Sequence, residues 1–154
     1  MNFNKLIAPI ALVSLTALSG ASIAADLTGT AKVNLLTPLA LTETTQIDFG
    51  TMTSENGTCT MASGGALTAS AGQSCTGTAI PGVFKIDGSD VTVDISVTAG
   101  AAVDGVTFNP SIDGASSVTL SGGTANVSVI GGLDLLAATA GSKSISYTFT
   151  ANYQ

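Results

Sequence analysis

Asp87, Asp90 and Asp94 fall within eight residues in KIDGSDVTVD, and Asp104 and Asp113 follow. Paired carboxylates can trade protons with a substrate. In greater number they can hold calcium, which takes about six to eight oxygens. Here the acids flank Asp87-Gly88, a turn dipeptide between two apolar runs, and offer only about three well-spaced ligands. A hairpin turn with solvated acids is the simpler reading. The sequence has no histidine, which removes the usual general base, the Ser-His-Asp and Cys-His arrangements and the commonest transition-metal ligand. Gly122-Gly123 and Gly131-Gly132 do not join a strand to a helix, so they are not read as phosphate cradles. The chain reads as a non-enzyme, with no catalytic residue, no metal site and no cofactor.

Cys59 and Cys75 are the only cysteines. They lack CxxC spacing and have no histidine to activate them. Their redox compartment follows from the first residues. Lys5 supplies a short positive region, LIAPIALVSLTAL an apolar run, and Ser22 and Ala24 the small residues that precede a cleavage site. Residues 1–24 are therefore expected to be a signal peptide, cut between Ala24 and Ala25. The run is too short to span a bilayer, and no membrane span is expected after it is removed. In an exported chain an even pair of cysteines is most simply one disulfide, Cys59–Cys75.

Beyond residue 24 three lysines stand against ten acids, a net charge of about −7, with no arginine. That argues against nucleic acid and anionic membranes as partners. Thr, Ser, Gly, Ala and Val dominate, and no apolar stripe of helical period has useful length. LDLLAATA (133–140) is the nearest helical candidate, behind Gly131-Gly132.

Short period-two segments with Gly, Pro and Asp-Gly punctuation predict an all-β fold. Strands are expected over 27–36, 39–50, 83–86, 91–99, 106–108, 117–120, 125–130 and at the end of the chain. Residues 54–75 form a small-residue stretch that the disulfide would cinch. The expectation is a single antiparallel, immunoglobulin-like β-sandwich of about seven to nine strands. It would occupy 38–154, with 25–37 as an N-terminal extension.

Both ends of this chain alternate. In SISYTFTANYQ, Ile145, Tyr147, Phe149, Ala151 and Tyr153 share one face of an extended chain. In ADLTGTAKVNLL, Leu27, Gly29, Ala31, Val33 and Leu35 do the same. Thr37-Pro38 separates that second row from the next strand, since proline cannot donate to a ladder. Such a segment can pair within its own sheet. It can also complete the sheet of another copy, where backbone bonds hold it and alternate side chains fill pockets. Burying Leu27, Ala31, Val33 and Leu35 that way contributes on the order of 5 kcal/mol. Head-to-tail donation does not close, and it builds a fibre.

LTPLALTETTQIDFG, GVFKIDG, VSVIGGLDL and GSKSISYTFTANYQ together resemble the bacterial exported family known as domain of unknown function 4402. Its members are similar to fimbrial subunits in size, leader and aromatic-rich last strand. Where the family often has Gly-x-Tyr-x-Gly, this chain has Gly141-Ser142-Lys143-Ser144-Ile145. The row ending at Tyr153 also resembles the terminal strand of chaperone–usher pilins. That resemblance implies that Ile145, Tyr147, Phe149 and Tyr153 are gripped by a periplasmic chaperone before assembly at an outer-membrane usher. It also implies that Leu27 to Leu35 is the donor strand. The expectation is a structural subunit of a surface filament, exported through the periplasm, whose partners are other copies or related subunits. The alternative is a monomeric exported binding domain or adhesin with the N-terminal strand in its own sheet.

Overall fold

A computed structural model describes residues 25–154. The expected signal peptide, 1–24, lies outside the described residues. Asn34–Gln154 is one compact unit. Eleven strands follow in order: β1 (Ala40–Thr45), β2 (Thr51–Met52), β3 (Gly57–Met61), β4 (Leu67–Ala69), β5 (Cys75–Thr76), β6 (Gly82–Asp87), β7 (Thr92–Ala99), β8 (Val106–Ile112), β9 (Ser117–Thr119), β10 (Thr124–Leu135) and β11 (Tyr147–Tyr153). All pairings are antiparallel, and the sheets pack as a β-sandwich of the kind the alternation predicts. Seven strands are five residues or longer; the short β2, β4, β5 and β9 raise the count above the expected range.

The larger sheet is organised around β10. Val129 pairs with Gly82 of β6 on one edge and with Ile112 of β8 on the other. From Gly131 onward β3 takes over the edge that β6 leaves, while β8 continues opposite. β1 extends this sheet beyond β6, and β4 extends it beyond β3. The second sheet has the order β11-β7-β9, and β2 pairs with β5.

Two expectations are corrected here. Gly131-Gly132 does not end a strand: β10 runs through the glycines to Leu135, taking the first residues of LDLLAATA with it. Val127, Val129, Gly131, Leu133 and Leu135 alternate inward, and this period of two outweighs the glycine pair. Residues 27–36 carry no strand in the structure. A strand needs a ladder partner, and this row has little to bury at Gly29 and Ala31.

Inward residues form two clusters. Phe49, Cys59, Met61, Val106, Phe108, Leu133 and Leu135 make one; Ile86, Val93, Ile95, Leu120 and Val127 make the other. β10 contributes to both. Cys59 on β3 and Cys75 on β5 form a disulfide, with Cα atoms 6.2 Å apart across a separation of 16 residues. A loop of that size stabilises the fold by roughly 3 kcal/mol on the chain-entropy account.

Candidate functional site

The acids that first drew attention are held apart. Lys85 lies 2.8 Å from Asp87 and keeps its carboxyl below the usual range. Asp90 accepts a hydrogen bond from the Gly123 N–H. Asp94 accepts one from Gln154 Nε2 at 2.7 Å, and Asp104 one from Lys143 Nζ at 2.9 Å. Asp113 enters a backbone bond to Ser128. Each serves a turn or a strand end. Among the described residues no three His, Cys, Asp or Glu side chains gather as a metal would require.

The feature that stands out is a cleft between two strand edges. β1 pairs only with β6, and β11 only with β7. The outer edges of both strands are thus unpaired among the described residues. Between them, Leu41, Glu43 and Gln46 stand opposite Ser144, Tyr147 and Phe149 around about 580 Å³ of open space. A second section, about 520 Å³, continues between Ile47–Ser54 and the Ala138–Ile145 segment. Ile47, Lys143 and Ile145 line both sections, so they form one groove.

Its floor is aromatic. Phe84 stacks on Phe149 with centroids 4.5 Å apart and meets Tyr147 edge-on at 6.0 Å. Tyr147 meets Phe108 at 5.2 Å, and Phe108 meets Phe49 at 5.6 Å. Leu133 and Leu135 of β10 line the second section, where the main core opens onto the groove. The terminal row is therefore only half-buried: Tyr147, Phe149, Ala151 and Tyr153 each keep part of their surface exposed. The strand starts at Tyr147, later than the expected 144, so Ile145 precedes it and packs on the core from an unpaired segment.

Tyr153 does something different from the rest of its row. Its hydroxyl accepts a hydrogen bond from the Ser89 N–H at 2.8 Å and donates to the Thr37 carbonyl at 2.6 Å. The Thr37 N–H donates to Ser89 Oγ at 2.8 Å. This three-residue knot joins the last strand, the β6–β7 turn and the chain just before Pro38.

The candidate donor residues belong to a segment with no regular secondary structure. Leu27 is 97% exposed, Leu35 87% and Val33 78%. Gly29 has nothing within 4 Å of an added Cβ. Three large apolar side chains in one alternating row thus lie open to solvent.

Residue reasoning missed Glu43, Phe49, Phe84 and Phe108. A signal for Glu43 is present: Leu39, Leu41 and Glu43 alternate, so a carboxylate falls in an apolar row. Compared with protein-family models, curated proteins and solved structures, the chain matches none.

Proposed function

We propose that this protein is a structural subunit of a bacterial surface filament, assembled by strand addition. The row Leu27, Gly29, Ala31, Val33 and Leu35 of one copy enters the groove between β1 and β11 of the next. The observation that carries this reading is the groove itself. Two unpaired ladder edges face an aromatic floor, and the same chain holds an exposed segment with the matching period. An added strand satisfies the backbone groups of the edge and covers the half-buried row of β11. Each copy offers one groove and one arm, so the contact is heterologous and propagates. Export through the periplasm, with a chaperone and an usher as assembly partners, belongs to the same proposal, as does the absence of catalysis. The monomeric alternative would place residues 27–36 as a strand in its own sheet; that these residues carry no strand favours the first reading.

The test compares the exported full chain with one lacking residues 25–36. Heat-sensitive ladders on unboiled denaturing gels from the full chain, with a soluble monomer from the deletion, are the expected result. A stable monomer from the full chain, even with a cognate chaperone present, and an unfolded deletion would overturn it.

A further inference from the structure

One side chain in the groove does not suit an apolar strand. On β1, Leu41 faces Ile86 across the ladder, and Glu43 faces Phe84. Ile86 is fully buried and Phe84 belongs to the aromatic floor, so Leu41 and Glu43 share the inward row. The Glu43 carboxylate consequently opens into the groove beside Phe84, Tyr147 and Phe149. The Tyr147 hydroxyl is buried against Gly82 and has no hydrogen-bond partner among the described residues. Burial first, and then the Glu43 charge, push that hydroxyl up to about 12.

Among the described residues no cation is positioned to neutralise Glu43 there. Lys143, from the segment before β11, lines the same section, but Asp104 and Thr139 hold its ammonium at 2.9 Å. Lys85 alternates to the other face of β6 from Phe84 and Ile86 and pairs with Asp87. In an incoming arm Lys32 falls on the row opposite Leu27 to Leu35, so it faces outward when that row faces in. Asp26 is the arm's only acid.

We infer that Glu43 makes strand capture proton-linked: a strand of a second copy that covers the groove closes over an uncharged Glu43. This rests on the strand-addition reading. Apolar side chains that cover a lone carboxylate strip it of water, and this desolvation penalises the charged form. The sign follows from linkage. The covered state prefers the protonated acid, so assembly binds a proton. Capture is then tightest in acid and weakens as pH rises towards neutrality.

The concentration at half-assembly of the full exported chain is read by light scattering at about pH 5 and about pH 7.5. Parent and Glu43→Gln proteins are compared, both carrying Asp26→Asn to silence the arm's own acid. The parent should need about tenfold more protein at the higher pH, and Glu43→Gln less than about twofold more. A pH slope that survives Glu43→Gln, or a parent that assembles equally at both, overturns the proton linkage and leaves strand addition standing. If neither protein assembles at any pH or concentration, strand addition itself falls, and this inference with it.

Discussion

Tyr147 shows how one side chain can belong to a core and to an open groove together. Its ring packs against Phe84 and Phe108, while its hydroxyl ends in a buried spot without a partner among the described residues. Burial, and then the Glu43 charge, raise its pKa from 10.0 to about 12. In the unfolded chain the phenol ionises near the ordinary value, so the folded state favours the neutral form. That stabilisation is complete below about 10 and is lost as pH rises through about 12. Urea midpoints should therefore fall between about pH 10 and about pH 12, and fall less steeply in Tyr147→Phe. An identical alkaline loss in both proteins would show that another group is responsible. Alternation in SISYTFTANYQ placed this residue on the inward row; nothing local showed that its hydroxyl would be left without a partner.

Among the elements, β10 departs furthest from local signals. Glycine pairs ordinarily mark turns, yet here the chain stays extended because both of its edges are taken. β8 and β3 flank it where the glycines fall. Gly131 has φ +153°, and an added Cβ would strike the Asn109 carbonyl and approach Pro110 Cα to 3.0 Å. At Gly132 the nearest atom is Thr60 Oγ1 at 3.6 Å, an ordinary contact. Gly131→Ala should therefore cost on the order of 2–4 kcal/mol in urea unfolding. Gly132→Ala should stay within about 1 kcal/mol of the parent. Equal effects at the two positions would contradict the crowding argument. The sequence shows the inward alternation on either side of this pair, but the neighbours that make one glycine obligatory come from residues 109 and 110 on another strand.

At the scale of the whole molecule, the proposed assembly has a direction, because one copy gives an arm and receives another. A chain lacking residues 25–36 keeps the groove and loses the arm. It should accept a donor and offer none, so it should terminate growth. Mixed in equal amounts with the full chain, it should shorten assemblies to a few subunits, read as a loss of the high ladder bands on unboiled gels. Ladders of unchanged length in the mixture would mean that the arm is not what links subunits.

Sequence alone determined the all-β class, the disulfide pairing of Cys59 with Cys75, and the row from Tyr147 to Tyr153. These depend on a period of two, on turn chemistry and on a count of cysteines, all of them local or arithmetic. Only the tertiary structure decided that the β11 row would be half-covered, that Glu43 would open into the groove, and that Tyr153 would bind Ser89 and Thr37. Alternation reports which side chains share a face. Whether a strand's edge has a neighbour, and what lies across from it, depends on residues dozens of positions away in the chain.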